Sequence, residues 1–476
     1  MPIRLYNSLS QRTEELRPLQ PGLVKMYTCG PTVHDRAHIG NFRTYLAEDL
    51  LRRHLEARGL KVQQVMNITD VDDKIIAKAT AQGLSLAAFT APYVEAFFAD
   101  LQQLRIEPAQ EFPRATEYVS QMVALAELLV ETGHAYLTDG SVYFRVASFP
   151  NYGRLSRLEV TGLRAGGSGR IDSDEYESKE AVRDFALWKA AQEGDLAAWP
   201  SPFGRGRPGW HLECSAMAMA LLGPSFDVHC GGVDNKFPHH ENEIAQSEAA
   251  TGKPLAQLWF HVEHLLVEGG KMAKSQGNFV TLPALRERGH SPLTVRYHLL
   301  SNTHYRQKLH FREEDLIGAA ESLERLATFW RRCSDAQRGE LKTAGSGDPL
   351  AAAAQRASDR FDAALDDDLN LPSAVGSLHD LVREGNRLLD EGRAGGHGCA
   401  AALVALRGAD SRLAVIERSA VSEGLQLSPE EQQALARREE ARRSGHFSKA
   451  DRIRDQLLER GIVVEDTKEG TRWHRL

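Results

Sequence analysis

The stretch Met26-Tyr-Thr-Cys-Gly-Pro-Thr-Val-His-Asp-Arg-Ala-His-Ile-Gly-Asn41 decides the fold. Leu23, Val24, Met26 and Tyr27 form an apolar strand that runs into a Gly30-Pro31 turn. From His38 onward Ile39, Phe42, Leu46 and Leu50 recur at helical spacing, so an amphipathic helix opens there and ends at Gly59. A strand that feeds a helix through a glycine-bearing turn leaves free backbone N–H groups at the helix start, which is a seat for phosphate. His38 can donate a hydrogen bond to a phosphate oxygen, and Gly40, lacking a Cβ, lets a nucleotide lie against the first turn. Cys29 ends the strand a few residues earlier, so a thiolate and a nucleotide would share one pocket. Taken singly, Cys29 reads equally well as a buried small hydrophobe and His38 as a surface cap.

Working outward, Lys61-Val-Gln-Gln-Val-Met-Asn-Ile-Thr69 is a second strand, and strand, helix, strand in this space predicts a right-handed βαβ unit and a parallel sheet. Asp70, Asp72 and Asp73 follow at once. They are expected to cap a helix over Asp72–Thr80 rather than to gather a metal. Helices are predicted at Leu86–Leu104, capped by Ser85, and at Ala115–Gly133; Asp139-Gly140 within Ala135–Val146 signals a hairpin. Leu163–Glu180 is glycine-rich and polar, an exposed loop. Residues 115–225 thus read as an insertion between two halves of the sheet.

Beyond it, Trp210-His-Leu-Glu-Cys214 on its own is ordinary core sequence. Phe226-Asp-Val-His229 is a short strand leading to Gly231-Gly232-Val-Asp234 and to Phe237-Pro-His-His-Glu-Asn-Glu243. Pro238 starts a helix, so His239 and Glu243 stand one turn apart on one face, able either to grip a metal or to form a solvated pair. Glu268-Gly-Gly-Lys271-Met-Ala-Lys274-Ser-Gln-Gly277 is a cationic loop between glycines, suited to closing over a triphosphate.

From residue 312 the chain turns helical, with helices expected at Glu313–Ala336, Leu350–Asp366, Ser373–Glu391 and Gly398–Glu417 and a break at Asp366-Asp-Asp-Leu-Asn-Leu-Pro372. After Pro429 comes a basic helical tail (Arg437, Arg438, Arg442, Arg443, Lys449, Arg452, Arg454) and a small hairpin carrying Arg472 and Trp473. Basic residues with an interleaved aromatic suit single-stranded RNA; a merely solvated tail has the same composition.

With 476 residues the chain exceeds one core, and its 42% hydrophobic and 26% charged content is that of a globular protein. A net charge of −7 excludes a bulk polyanion binder, leaving local basic patches for any nucleic acid. Five scattered cysteines (Cys29, Cys214, Cys230, Cys333, Cys399) without a Cys-x-x-Cys pair point to a reducing cytoplasm, and the sequence shows neither an apolar signal core nor a membrane span.

Together these stretches resemble the cysteinyl-tRNA synthetase family of class I aminoacyl-tRNA synthetases along essentially the whole chain. His38-Ile-Gly-Asn41 stands for the family's HIGH signature and Lys271-Met-Ala-Lys-Ser275 for its KMSKS signature, with Asn41 and Ala273 as departures expected to have modest effects. Tyr27-Thr-Cys-Gly-Pro-Thr-Val, Asn67-Ile-Thr-Asp-Val-Asp-Asp, Gly209-Trp-His-Leu-Glu-Cys-Ser and Phe237-Pro-His-His-Glu-Asn-Glu are more specific than either.

The resemblance implies a Rossmann-like α/β catalytic domain split into 1–114 and 226–311 around a connective insertion at 115–225. A tRNA-binding helical bundle at 312–420 and a small α+β anticodon domain at 421–476 would follow. It implies one Zn²⁺ on Cys29, Cys214, His239 and Glu243, a donor set that zinc accepts and that leaves room for a substrate sulfur. An ordinary pocket separates near-isosteres by only about 10²-fold, short of the roughly 10⁴ protein synthesis needs. A metal that prefers sulfur to hydroxyl would close the gap between cysteine and serine. His38, Lys271 and Lys274 would be catalytic, with Pro31, Gly40 and Asn41 joining them around ATP and its Mg²⁺. Gly30, Thr69, Trp210, His229 and Asp234 would form the cysteine side. The expected partners are L-cysteine, ATP and the tRNA for cysteine, the expected form a cytoplasmic monomer without a membrane. Competing readings are a cysteine ligase of thiol biosynthesis, which would lack the tail, a non-catalytic zinc-stabilised RNA-binding module, and a small-molecule nucleotidylyltransferase.

Overall fold

A computed structural model describes residues 2–157, 183–192, 195–267, 270–272, 278–338, 348–416, 429–444, 446–459, 462–467 and 470–475. In chain order a hairpin of β1 (Arg4–Asn7) and β2 (Arg12–Glu15) precedes β3 (Leu23–Thr28), α1 (Ile39–Ala57), β4 (Lys61–Met66), α2 (Asp73–Ala81) and α3 (Leu86–Gln103). Then come α4 (Val119–Glu131), β5 (Ala135–Thr138), β6 (Ser141–Phe144), β7 (Phe185–Ala190), β8 (Gly206–Pro208) and α5 (Trp210–Leu222). After the insertion come β9 (Phe226–Gly232), α6 (Glu241–Thr251), β10 (Ala256–Val262), β11 (Leu265–Val267), β12 (Gly270–Lys271), α7 (Leu282–Glu287), α8 (Pro292–Ser301) and β13 (Leu309–Phe311).

The central sheet has the order β10-β9-β3-β4, every pair parallel. Apolar residues fill both of its faces, as a sheet covered by helices requires. Val24, Met26, Val62, Val228, Cys230, Leu258 and Phe260 form one buried cluster with Leu51 and Leu55 of α1. The helical stripe expected on α1 is real: Ile39, Phe42, Leu46 and Leu50 are all buried. The inserted segment makes a separate antiparallel sheet, β5-β6-β7-β8. Its Asp139-Gly140 turn has φ of 49° and 77°, the two left-handed positions of a two-residue hairpin.

The three aspartates after β4 go separate ways. Asp72 caps α2, accepting from Ile75 N at 2.6 Å. Asp73 pairs with Lys189 and Arg207 of the insertion (2.7 and 2.8 Å), and Asp70 takes the Thr116 N–H and hydroxyl (3.0 and 2.7 Å). Asp72 is the cap and Asp73 stands in the first turn of α2, where its charge suits the helix dipole, while Asp70 and Asp73 also fasten the insertion to this part of the chain.

The helical unit is α9 (Asp315–Arg338), α10 (Pro349–Asp366), α11 (Leu371–Asp390) and α12 (Gly396–Leu413), followed by α13 (Pro429–Arg443), α14 (Phe447–Glu459), β14 (Ile462–Thr467) and β15 (Gly470–Arg475). The last two form the antiparallel hairpin read from the tail. Helix α12 stops at Leu413, not Glu417, because Ala414 turns left-handed (φ 51°) and Asp410 Oδ1 accepts from Val415 N and Ile416 N, both at 2.9 Å. The predicted helix at Ala115–Gly133 is broken at Tyr118, a 3₁₀ turn preceding α4. The glycine-rich loop of Leu163–Glu180 lies outside the described residues. No single helix among the described residues is long and apolar enough to cross a membrane.

Candidate active site

β3 and β9 are neighbours at the middle of the sheet, yet their connections leave in opposite directions, β3 through α1 to β4 and β9 through α6 to β10. In a doubly wound sheet the crevice beyond such a pair is where ligands bind. Here it holds a cleft of about 650 Å³ lined by Cys29–Thr32, His38, Gly40, Asn41, Asn67, Thr69, Trp210, Cys214, Asp234, His239 and Met272, among others. One chamber therefore contains the start of α1 and three of the four expected metal ligands.

At the α1 end, His38 is the N-cap. Its Nδ1 accepts from Asn41 N (3.2 Å) while the Asn41 Oδ1 accepts from His38 N (3.1 Å). Asn41 thus makes the reciprocal bond that Glu or Gln makes in a capping box. With Nδ1 used as acceptor, the His38 proton sits on Nε2; burial lowers its pKa, against the pull of Asp234, so the neutral ring is a donor. Gly40 is held to glycine by protein, not by open space: a Cβ there would stand 2.7 Å from Met272 Cε and 3.0 Å from the His38 ring. Lys271 ends β12 opposite Leu266, and its backbone alone is described; Lys274 lies outside the described residues.

At the other end, four elements converge. Cys29 follows β3, Cys214 lies on α5, His239 sits in a wide turn over Lys236–His240 that runs into α6, and Glu243 is in the first turn of α6. Their ligand atoms all lie within 4.8 Å of one another and all four residues are buried. A second grouping, Cys29, His229, His240 and Glu243, shares two members. The two differ in access: Cys29, Cys214 and His239 face the cleft, whereas His229 and His240 lie beneath it.

The donor set fits a divalent cation. His239 Nε2 lies 3.0 Å from Glu243 Oε1, yet that oxygen makes no hydrogen bond of acceptable geometry, as for two donors aimed at a common point. Hydrogen bonding between the thiols pushes Cys29 well up and brings Cys214 down to about 6. Burial alone would depress His239, but Glu243 and Cys214 hold it up at about 10. Burial would raise Glu243, but His229 and His239 bring it down to about 2. A buried thiolate beside a buried carboxylate is a sink for positive charge, filled in the bare chain by a proton on His239.

Between the two ends, Gly30 N donates to Asn67 Oδ1 (2.9 Å), and a Cβ on Gly30 would collide with Asn67 O at 1.8 Å. Thr69 N donates to Pro31 O (3.1 Å), which continues the β3–β4 pairing into the cleft wall. Trp210, at the start of α5, is 39% exposed and stacks on His239 with ring centroids 4.5 Å apart. A Cβ on Gly232 would meet Asp234 Oδ1 at 2.6 Å, so that glycine lets the carboxylate fold back over the end of β9. His229 was expected at the substrate; it lies instead one layer down, outside the cleft lining, its Nε2 2.8 Å from Glu243 Oε2.

Sequence reasoning passed over three further histidines that support this group. His211 Nδ1 is 3.0 Å from His239 Nδ1, and His240 links Cys29 (3.2 Å) to His261 (2.8 Å). The signal for His211 was available: it precedes Cys214 by three residues on one helix, hence shares its face. His261 sits on β10, and only the sheet brings it here.

Comparison with known proteins gives the same picture. A family model described as the tRNA synthetases class I (C) catalytic domain matches residues 15–321, a DALR domain matches 360–409, and a cysteinyl-tRNA ligase anticodon binding domain matches 426–473. The chain is 47% identical to a cysteine–tRNA ligase of Solibacter usitatus over 475 residues, covering 100% of both chains. It is 45% identical to that of Protochlamydia amoebophila, covering 99% of this chain and 98% of the other. Among solved structures, Mycobacterium tuberculosis methionyl-tRNA synthetase in complex with methionyl-adenylate superposes with a TM-score of 0.64 at 16% identity, covering 84% of this chain and 92% of the other. A LeuRS–tRNA–LeuAMS ternary complex from Agrobacterium radiobacter K84 does so at 0.61 and 12%, covering 85% of each. At such identities these two report the fold.

Proposed function

The chain belongs to the cysteine–tRNA ligases, class I aminoacyl-tRNA synthetases, and from that premise we propose how its residues divide the work. The cysteine carboxylate attacks the α-phosphorus of ATP to give cysteinyl-adenylate and pyrophosphate, and a hydroxyl of the 3′-terminal ribose of the tRNA for cysteine then takes the acyl group, releasing AMP. Such a transfer needs positioning and charge stabilisation rather than a covalent nucleophile. His38, neutral and protonated on Nε2, donates to the phosphates from the start of α1, where backbone N–H groups already favour anions. The Asn41 side-chain NH₂ is left for the same ligand, its oxygen being used by the box. Lys271 and Lys274 are assigned to the charge on the departing pyrophosphate, and Pro31 and Gly40 to the nucleotide, with Mg²⁺ arriving on ATP and keeping most of its waters.

Cys29, Cys214, His239 and Glu243 would hold Zn²⁺ at the cleft floor, preferred over the overlapping group because three of them face the substrate. When bound, the ion supplies a soft Lewis-acid centre that favours sulfur over a hydroxyl oxygen. Trp210 covers His239 and screens that floor from water, while Gly30, Thr69 and Asp234 present polar groups to the rest of the amino acid. The match of 426–473 to an anticodon-binding domain separates this reading from a ligase that has only the catalytic half.

The observation that carries the proposal is the convergence of four ligand atoms, three of them from residues that line the cleft holding the start of α1. The test is a metal assay paired with cysteine-dependent ATP–pyrophosphate exchange, with serine as competitor. About one zinc per chain and exchange that ignores serine support it; full exchange in metal-free protein would sink the metal's role.

A further inference from the structure

We propose that Arg105, with Arg53 and Arg296, is a positioning residue for tRNA: the three guanidiniums clamp the exit of the helical bundle onto α1 and so fix the anticodon end relative to the cleft. This rests on the tRNA ligase reading above.

Helix α12 ends at Leu413, and Ile416 lies ten residues before residue 426, where the anticodon-binding match begins. Over that exit the carbonyls point at cations. Ser411 O accepts from Arg53 Nη1 (3.3 Å), Leu413 O from Arg296 Nε (2.5 Å), and Ala414 O and Ile416 O from Arg105 Nη1 (3.5 and 3.0 Å). A helix C-terminus carries partial negative charge, so cations are favoured there. Three of them within six residues exceed what ending a helix requires.

The clamp is rooted in Asp49 on α1. Its Oδ2 accepts from Arg53 Nε (2.9 Å) and Arg296 Nη2 (2.5 Å), and its Oδ1 from Glu107 N (2.9 Å). Arg296 is fully buried, and its Nη1 spends its hydrogens on Leu104 O (2.8 Å) and Arg105 O (3.2 Å). Burying an arginine–carboxylate pair is no better for stability than well-packed apolar residues. A planar fork with all three nitrogens engaged adds direction, which apolar packing does not. Arg105 itself holds φ at 52°, a left-handed value costly for a residue with a Cβ. That backbone lets its carbonyl accept from Arg53 (2.8 Å) and Arg296 while its side chain reaches past to Ile416. Asp49 lies ten residues along α1 from Ile39, about 15 Å of helix, so one rigid rod carries the phosphate seat and the clamp.

The test uses the full chain and a tRNA for cysteine, comparing wild type with Arg105→Gln. Cysteine-dependent pyrophosphate exchange should stay within about twofold, while kcat/KM for tRNA in aminoacylation falls about tenfold, the scale of a small misplacement. Arg105→Lys should recover part of the loss. Arg53→Gln, which keeps the buried Arg296–Asp49 pair, should show the same split if Arg105→Gln does not fold. Unchanged aminoacylation, or an equal fall in both reactions, overturns the clamp. Wild-type protein that exchanges but never charges tRNA overturns the ligase reading and the clamp's role with it.

Discussion

His211, half-buried on α5, places its Nδ1 3.0 Å from the Nδ1 of His239, which lines the cleft. Burial keeps His211 well below the usual histidine range, so its neutral ring accepts the proton that His239 carries on Nδ1. His239 Nε2 is thereby turned toward Glu243 and the two cysteines, where a metal would take the place of its proton.

Replacing His211 should therefore loosen the metal without touching it. His211→Leu is expected to weaken zinc binding roughly 10- to 100-fold, the usual effect of losing a ligand's orienting partner. Competition with a chromogenic chelator reads this directly, and an unchanged affinity would show that His239 needs no such support.

Cys214→Ser should lose zinc and cysteine-dependent exchange together, because a hydroxyl replaces the thiol that most readily ionises in the group. Metal content and exchange measured on the same sample decide it. Exchange that survives in the serine variant would refute the metal assignment.

Gly40→Ala places a methyl 2.7 Å from Met272 Cε. Such overpacking costs about 1–3 kcal/mol, so we expect KM for ATP to rise about tenfold or more. The double variant with Met272→Ala should recover much of it. No recovery would mean that the methyl obstructs the nucleotide itself rather than the loop.

Asp100, buried on α3, has its pKa raised to about 6 by burial, with Arg36 and Arg286 only partly opposing. Between about pH 4, its unfolded value, and pH 6 the folded chain holds more protons than the unfolded one, so stability from this group falls as pH rises through that window. Asp100→Asn should stabilise the protein by about 1–2 kcal/mol above pH 6 and change nothing below pH 4. Thermal melts at pH 4 and pH 7.5 test this; a gain of equal size at both would locate the effect elsewhere.

Much of the site was legible in local sequence because its parts are local. The strand–turn–helix around Cys29 and His38, the one-turn spacing of His239 and Glu243, and the Asp139-Gly140 hairpin each follow from backbone geometry over a few residues. What escaped were relationships between elements. Asp70 and Asp73 look like helix caps until the insertion brings Thr116, Lys189 and Arg207 to them. Gly40 looks like room for a ligand until β12 brings Met272.

The sequence by itself determined the parallel sheet and the helical second half, because hydrophobic period and turn residues are properties of short segments; the donor set at the floor of the cleft was implied by the family resemblance alone. Only the tertiary structure decided which histidine faces the cleft: β9 holds His229 beneath it, whereas the turn before α6 brings His239 to its lining. Likewise no local pattern announces that Arg105 and Ile416 meet; a folded chain alone brings together residues 311 positions apart.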